Sequence, residues 1–386
     1  MHMKASAVLV RGDEPGRTAT RAAEEVLEGL GGAPPALAVV FASPHYAAVA
    51  EEVLRDLRAT LGHVPIIGCL GESVIGGSHE VEQGPALSVW VAAGIEPVET
   101  FAMDYLATPG GGLFAGHRFE AGGGPYLLIC EPLSFPADQL LEHLNVNVPG
   151  ALVIGGMASG GTGGGRNLLF FDDQVLSTGA VGATLAGMEV DLLVSQGCRP
   201  IGSPYTVTRA EGNVVHELGG RPPFQRLQDL VITLPETDRQ LLANGGLQVG
   251  QVIDEYRHEQ RRGDFLIRSV VGADPASGAI AVGGEVEVGQ TVQFHVRDAG
   301  SADEDLVETL ERELSELTGR QPAAALLFTC NGRGTRLFPE HDHDAALLAK
   351  MLGDIPVAGF LCAGEIGPIG GRNFLHGFTA SVAVFR

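Results

Sequence analysis

The C-terminal part of the sequence contains four patterned runs: AAALLFTC (323–330), DAALLAKMLG (344–353), IPVAGF (355–360) and FTASVAVF (378–385). The first, third and fourth runs are short and continuously apolar, as is typical of buried strands. The second has the length and apolar spacing of a helix. The order predicts a β-α-β-β repeat whose first two strands are parallel, because a helix connects them.

The same order occurs twice more, upstream. An earlier copy consists of PALAVVFA (35–42), a helical pattern over 46–61, VPIIGC (64–69) and GPALSVWVAAG (84–94). Another consists of PYLLIC (125–130), SFPADQLLEHL (134–144), GALVIGG (150–156) and VLSTGAVGATLAG (175–187). The sequence therefore predicts an α/β fold in which repeated β-α-β-β units form mixed sheets covered by helices, in a pseudo-symmetric arrangement.

The pattern changes between the second and third repeats. YTVTRAEGNVVHELGG (205–220) predicts a hairpin, and residues 265–298 predict several antiparallel strands. Pro222-Pro223 interrupts regular structure. We therefore predict two domains: residues 1–221, with two repeats and the hairpin, and residues 222–386, with the antiparallel insertion and the third repeat.

Composition excludes several classes of protein. The 386 residues carry a formal charge of −22, which argues against binding to nucleic acid or to an acidic membrane surface. The only lysines, Lys4 and Lys350, lie in neither a phosphate-binding loop nor a setting suited to a Schiff base. Five widely spaced cysteines and the absence of a signal-peptide pattern favour a reduced, cytoplasmic protein. We expect no cofactor and no metal ion.

Glycine-rich turns follow the second strand of each repeat and are the strongest candidates for a binding site. In the third repeat, GFLCAGEIGPIGGRNFLHGFT (359–379) places reactive and polar side chains, His376 among them, beside glycines whose backbone N–H groups a ligand can approach. The candidate residues there are Cys362, Gly364, Glu365, Gly367, Gly370, Gly371, Arg372 and Asn373. GCLGESVIGG (68–77) is the corresponding turn of the first repeat, and GGMASGGTGGGRN (155–167) that of the second.

Arginine and asparagine in these turns indicate recognition of an anion. Arg166 and Arg372 can each hold a carboxylate in bidentate fashion, while the adjacent Asn167 and Asn373 hydrogen-bond the rest of the ligand. The segment CNGRGTRLF (330–338) adds Asn331 and Arg333 at another strand end. Two alternatives remain open: the arginines form structural bridges to carboxylates, or repetition alone explains the matching turns.

Three segments resemble the FIST (F-box and intracellular signal transduction) family: GFLCAGEIGPIGGRNFLHGFTASVAVF (359–385), DFLIRSVVGADPASGAIAVGGEVEVGQTVQFHVRDA (264–299) and GCRPIGSPYTVTRAEGNVVHELGGRPP (197–223). The resemblance implies FIST N-terminal and C-terminal domains that sense small ligands, such as amino acids, in signalling. It points to Gly364, Glu365, Gly367, Arg372 and Asn373, and to Gly68, Cys69 and Glu72 in the N-terminal turn. That turn departs from the family pattern, because Leu70 follows Cys69 directly and shortens it.

The predicted function is sensory: the protein binds a small carboxylate-bearing metabolite at the glycine-rich strand ends, and Glu72 or Glu365 contacts an amino group. A separate signalling protein would be the partner, since no output module accompanies the domains. One alternative is an enzyme that uses Cys362 as a nucleophile. Another is an interaction scaffold that recruits its partner through the acidic helical stretch at 302–317.

Overall fold

This computed structural model of the chain describes residues 3–108, 111–161, 167–256, 263–316 and 321–386. The strands are β1 (Lys4–Arg11), β2 (Pro35–Ala42), β3 (Ile66–Leu70), β4 (Val74–Gly76), β5 (His79–Val81), β6 (Ala86–Ala93), β7 (Thr100–Thr108), β8 (Gly111–Ala115), β9 (Tyr126–Cys130), β10 (Val153–Met157), β11 (Leu169–Phe171), β12 (Gln174–Leu176), β13 (Ala180–Thr184), β14 (Val190–Gln196), β15 (Cys198–Pro200), β16 (Tyr205–Glu211), β17 (Val214–Leu218), β18 (Leu247–Val252), β19 (Phe265–Asp274), β20 (Ala279–Val282), β21 (Thr291–Arg297), β22 (Ala324–Cys330), β23 (Val357–Cys362), β24 (Glu365–Ile369), β25 (Arg372–His376) and β26 (Thr379–Phe385). The α-helices are α1 (Pro15–Leu30), α2 (Ala50–Leu61), α3 (Ala137–Asn147), α4 (Pro223–Thr233), α5 (Glu236–Ala243), α6 (Ala299–Glu316) and α7 (His343–Leu352), and short 3-10 helices lie at Pro44–Val49 and Gly334–Arg336.

The chain forms two compact units. The first comprises Met1–Val194, Val307–Leu375 and Thr379–Arg386, and the second comprises Ser195–Leu306 and His376–Phe378. The predicted division after residue 221 separates the third repeat from the first two along the chain. In space, all three repeats belong to the first unit.

The three predicted repeats are confirmed strand by strand. In the first repeat β2 pairs in parallel with β3 across α2, and antiparallel with β6. The second repeat builds β9, β10 and β13 in the same way, and the third builds β22, β23 and β26. The fold is thus mixed α/β, as predicted, and each repeat contributes the middle of one mixed sheet.

Each repeat also contains a hairpin that joins the sheet of a different repeat. The β4–β5 hairpin of the first repeat pairs with β23 of the third. The β11–β12 hairpin of the second repeat pairs with β3 of the first, and β24 of the third repeat pairs with β10 of the second. The exchange is cyclic, so no repeat completes its own sheet.

Glycine in the second strand of each repeat permits close contact with the strand beside it. Gly68, Gly155 and Gly359 occupy corresponding positions, and a Cβ added at any of them would lie 1.8, 1.9 and 1.9 Å, respectively, from a carbonyl oxygen of the neighbouring strand. Part of the high glycine content therefore serves strand packing, in which the missing side chain is the requirement.

The N-terminal segment adds a strand and a helix that the pattern analysis did not identify. β1 pairs antiparallel with β6 along its whole length, from Lys4 to Arg11. α1 buries one face, including Ala22, Val26 and Leu30, against the first repeat's sheet. The first sheet consequently has the order β1-β6-β2-β3-β11-β12.

The second compact unit contains an antiparallel barrel. β21, β16, β17, β20, β19 and β18 follow one another in the sheet, and β18 pairs again with β21, which closes the ring. The hairpin predicted at 205–220 is β16–β17, and the antiparallel strands predicted at 265–298 are β19 to β21. Val207, Val282 and Phe294 are among the side chains of its core. Among the helices that the structure describes, none is both long and apolar enough to span a membrane.

Candidate functional site

The loops that follow β3, β10 and β23 meet and are hydrogen-bonded to one another. Ser159 accepts a hydrogen bond from the Glu72 amide (2.8 Å) and donates one to the carbonyl of Leu361. The Met157 amide donates to the carbonyl of Gly364 at 2.8 Å. Strand ends from all three repeats thus form one surface, as is usual for ligand crevices in α/β folds. We call it the strand-end rim and define it as residues 70–73, 157–161, 331–336 and 362–365.

An ion pair lies on the exposed side of the rim. Both terminal nitrogens of Arg336 donate to the Glu72 carboxylate, with Nη1 at 3.1 Å from Oε2. Nη1 also donates to the carbonyl of Asn331 at 2.7 Å. The Arg336 side chain is 58% exposed and that of Glu72 is 17% exposed. The rim therefore presents one cation and one anion that solutes in the solvent can reach.

A second arginine of the rim has a completely buried side chain. Arg333 donates from Nε and Nη2 to Asp344 at 2.7 and 2.8 Å, and both side chains have at most 1% exposure. Thr329 also donates to Asp344, at 2.6 Å, and the guanidinium lies 5.1 Å from the centre of the Phe338 ring. Among the described residues, Arg333 Nη1 has no hydrogen-bond partner.

Glu80, from the first repeat, caps a helix of the third. Its Oε1 accepts the amides of Asp344 and Ala345, both at 3.0 Å, at the start of α7. Burial is the main reason that the pKa of Glu80 is raised to about 7, and the neighbouring charge of Asp344 raises it further. Its other oxygen, Oε2, lacks a hydrogen-bond partner within the described parts of the chain.

Glu365 is the third buried carboxyl group of this region. Thr379 donates to its Oε2 from the amide at 3.1 Å and from the hydroxyl at 2.9 Å. Burial raises its pKa to about 8, although these hydrogen bonds and the charge of Arg333 act in the opposite direction. Its Oε1 accepts no hydrogen bond from a nitrogen or oxygen atom of the described residues.

The raised pKa of Glu365 predicts a pH-dependent stability. The folded protein keeps Glu365 protonated up to about pH 8, whereas a glutamate in the unfolded chain loses its proton at about pH 4.3. The unfolding free energy should therefore fall as pH rises between these values. The limiting slope is about 1.4 kcal/mol per pH unit. Urea unfolding at intervals from pH 5 to pH 8 measures it. Glu365→Gln, which keeps the neutral form, should give a shallower decline.

The matched control for this measurement is Glu72→Gln, at the partly buried glutamate of the rim. This variant should retain the wild-type slope. Glu80, whose pKa is also raised, contributes to the slope in the wild type and in both variants alike, so it does not affect the comparison. A slope unchanged by Glu365→Gln would contradict the assignment of this proton to Glu365.

Several predicted site residues lie away from the rim. Gly370 and Gly371 form the β24–β25 turn with φ of +58° and +78°, as the tight hairpin requires. Arg372 follows them, is exposed and lies 5.6 Å from the ring centre of Phe374. Asn373 is buried and bonds the backbone of Val153, at the start of β10, at 2.8 Å. The structure therefore places Arg372 and Asn373 beside the amino end of β10, whereas Glu365 lies near its carboxyl end.

Asn167 and Asn373, the asparagines of the matching Arg-Asn pairs, do not occupy equivalent places. Asn167 precedes β11, the strand that corresponds to β24, whereas Asn373 lies in β25. Asn167 accepts the Gly161 amide at 2.6 Å and donates to Glu131 at 3.1 Å, which holds the second repeat's loops together. The two asparagines therefore have different structural roles, and Arg166 lies outside the described residues.

The remaining candidates are buried, either within the rim loops or in the adjoining strands. Cys69 lies in β3 opposite Phe41, and Cys362 ends β23; both thiols are fully buried, which raises their pKa well above the ordinary value. Gly364 supplies the carbonyl that joins two loops, and Gly367 faces Val194 so closely that a Cβ would lie 2.5 Å from it. Full burial keeps Cys362 protonated and out of reach of a substrate, so the structure does not favour its predicted role as the nucleophile of an enzyme.

The sequence identified Glu72 but not its pairing with Arg336, and it did not identify Asp344 or Glu80 as site residues. These carboxylates come from segments more than 250 positions apart: Glu80 bonds the amides of residues 264 and 265 positions away. The only local signal was the acidic start of α7 next to an arginine-containing loop. Charge pairing of this kind becomes visible only when the hairpin exchange is known.

The motif His341-Asp342-His343 belongs to the structure around α7. Asp342 accepts the Glu80 amide at 2.6 Å, and the His343 ring stacks on Phe338 with centres 3.4 Å apart. Within the described parts of the chain, no three His, Cys, Asp or Glu side chains are grouped as metal ligands.

A separate groove of about 900 Å³ lies between the β7–β8 hairpin and α3. Its lining includes Phe114, His117 and Leu144. None of the predicted site residues lines it, so it does not form part of the rim.

The protein is a mixed α/β protein built from three repeats with a glycine-rich rim. Comparison with known sequences shows the family to which it belongs. The FIST N domain matches residues 36–221 and the FIST C domain matches residues 223–368. The chain therefore belongs to the FIST family, whose domains are generally sensory domains of signal transduction.

Two relatives are similar over nearly their whole length. An uncharacterized protein of Mycobacterium tuberculosis (strain ATCC 25618 / H37Rv) is 49% identical over 370 residues, which cover 96% of each chain. An uncharacterized protein of Mycobacterium bovis is 47% identical over 370 residues, covering 96% of this chain and 95% of the relative. Among solved structures, T. maritima PurL complexed with ADP aligns with 99% of this chain and 71% of its own at 12% identity, but its TM-score of 0.23 supports no argument.

Proposed function

We propose that the protein is a sensory protein whose strand-end rim binds a small zwitterion, such as an amino acid, and signals through a separate protein. The observation that supports this proposal most directly is the exposed Arg336–Glu72 pair, which unites side chains from the third and first repeats. A carboxylate and an ammonium group on one small ligand match these two charges.

Replacement of the ion pair by a ligand is energetically reasonable. A pair of this kind contributes only about 0–1 kcal/mol, because the guanidinium is exposed and water competes with the carboxylate for it. A ligand carboxylate can take the place of Glu72 at the guanidinium, while the ligand ammonium takes the place of Arg336 at the carboxylate. Asn331, half-buried beside them, offers an amide for a further hydrogen bond.

This arrangement differs from the one expected from sequence. Arg336 replaces Arg372 as the proposed carboxylate ligand, because Arg372 lies beside the amino end of β10. Arg166 lies outside the described residues, so its part in binding stays a prediction. Glu72 remains the proposed contact for the amino group, whereas Glu365 is buried and its pKa of about 8 favours the neutral form at pH 7.

The partner and the location remain proposals from sequence. We place the protein in the cytoplasm, in keeping with its cysteine usage, and assign the output to a separate protein. The scaffold alternative rests on the acidic face of α6, and removal of a partner's binding by charge-reversing substitutions there would favour it over ligand sensing.

A thermal-shift screen of amino acids and small dicarboxylates tests the proposal. A ligand present at 100 times its dissociation constant should stabilise the folded protein by about 2.7 kcal/mol. Arg336→Gln should abolish most of this stabilisation, because it removes the charge that meets the carboxylate.

Arg372→Gln is the matched control, since it removes an exposed arginine that lies away from the rim. It should leave the shift unchanged. The proposed site would be refuted if no compound stabilises the protein, or if Arg336→Gln binds as well as the control.

A further inference from the structure

Cys330 and Cys362 end two neighbouring parallel strands and are paired in register. We propose that they form a dithiol that a hydroperoxide oxidises to a disulfide, which would make this pair a redox modification site at the base of the rim. The inference does not depend on the ligand proposed above.

The strand geometry brings the two side chains to one face. Phe328 and Phe360, two residues before each cysteine, are also paired, and their ring centres are 5.9 Å apart on the core side. Because side chains alternate along a strand, Cys330 and Cys362 continue that face. Neighbouring strands lie about 4.8 Å apart, which falls within the Cα separation of about 4.4–6.8 Å found in disulfides. The backbone spacing therefore suits a bridge.

The two thiols have different surroundings. The Gly332 amide lies 3.4 Å from the sulfur of Cys330 and donates to it, and the charge of Arg333 interacts with the same thiol. Both features stabilise a negative sulfur, whereas the hydrogen bond of this thiol to Glu365 favours its protonated form. Cys330 is 6% exposed and borders the rim loop, so it is the thiol that a small peroxide can reach.

Cys362 is suited to form the disulfide after Cys330 has been oxidised. It is fully buried, and burial together with the nearby Glu365 raises its pKa well above the ordinary value. Its sulfur donates to the carbonyl of Phe360 at 3.6 Å, which is a weak contact. Rotation of the side chain can break this contact and bring the sulfur to that of Cys330. Buried thiols of this kind resist direct oxidation but can react with an adjacent oxidised cysteine.

The proposed chemistry has two steps. The Cys330 thiolate attacks one oxygen of the hydroperoxide, the O–O bond breaks, and a sulfenic acid and hydroxide form. The Cys362 sulfur then attacks the Cys330 sulfur, the S–O bond breaks, and the hydroxyl leaves as water with the thiol proton. With hydrogen peroxide, two thiols and one peroxide yield one disulfide and two molecules of water.

Peptide mapping of the full-length protein after treatment with hydrogen peroxide tests this assignment. Under non-reducing conditions we expect a linked peptide pair that contains Cys330 and Cys362, and loss of two of the five free thiols. A reductant should restore both. Cys362→Ser should leave Cys330 as a sulfenic acid that dimedone traps, while Cys330→Ser should leave Cys362 reduced.

Cys198, which is buried in another sheet opposite Arg297, provides the matched control. Cys198→Ser should form the 330–362 bridge as the wild type does. The proposal would be overturned if all five thiols of the folded wild type survive, if Cys330 is oxidised without a link to Cys362, or if Cys198 is oxidised as fast as Cys330. These outcomes are read from the wild type, so they hold even if a serine variant fails to fold.

Discussion

Arg333→Met should lower the unfolding free energy by about 3–5 kcal/mol, the cost of removing one partner of a buried ion pair. Asp344 would remain fully buried with its charge no longer compensated, since two of its hydrogen bonds come from Arg333, at 2.7 and 2.8 Å. The arginine is at present the reason that the pKa of this buried carboxyl stays well below its usual value. Urea unfolding at pH 7 measures the loss.

Arg336→Met offers a control of the same residue type in the same loop. Its pair with Glu72 is exposed, so the expected loss is about 1 kcal/mol or less. Adding Asp344→Asn to Arg333→Met should recover stability, because it removes the uncompensated charge. Equal losses at Arg333 and Arg336 would show that burial of the first pair does not matter energetically.

Gly359→Ala should also destabilise the protein strongly, by about 3 kcal/mol, the upper end of the usual cost of overpacking. The new methyl group would lie 1.9 Å from the carbonyl oxygen of Leu327, and that atom belongs to the backbone of β22. Relief requires β22 and β23 to separate, since no side chain can rotate away. Thermal or urea unfolding measures the effect.

Gly377→Ala is the corresponding control, because no heavy atom lies within 4 Å of the added Cβ and its φ is not left-handed. A change within about 0.5 kcal/mol is expected there. Gly68→Ala should resemble Gly359→Ala, since it meets a backbone oxygen at 1.8 Å. A mild effect at both strand positions would contradict the close packing of the paired strands.

The sequence was informative about the repeats because each strand is buried on both faces and therefore reads as a continuous apolar run. β2, β9 and β22 all show this pattern, and a helix of recognisable spacing follows each. Such patterns do not predict which sheet each hairpin joins. A short strand such as β4 pairs with β23, more than 280 positions later in the chain, and local periodicity contains no information about that partner.

The candidate site was predicted only as far as the strand ends. Glu72, Asn331 and Arg333 do lie there, because loops after parallel strands emerge at one edge of a sheet. Arg372 was misplaced, since a hairpin turn separates it from Glu365 and carries it along the sheet. Which charges meet depends on the exchange of hairpins, and the apolar pattern within one repeat contains no information about that exchange.

The exchange of hairpins also affects folding during translation, because strands that pair in the fold are synthesised far apart in time. β10 has emerged long before β24 is translated, and until then it lies at the edge of its sheet, with an apolar strand open to unwanted pairing. β4 likewise waits for β23. The sheets that contain β10 and β23 can therefore be completed only after strands from distant repeats have been synthesised.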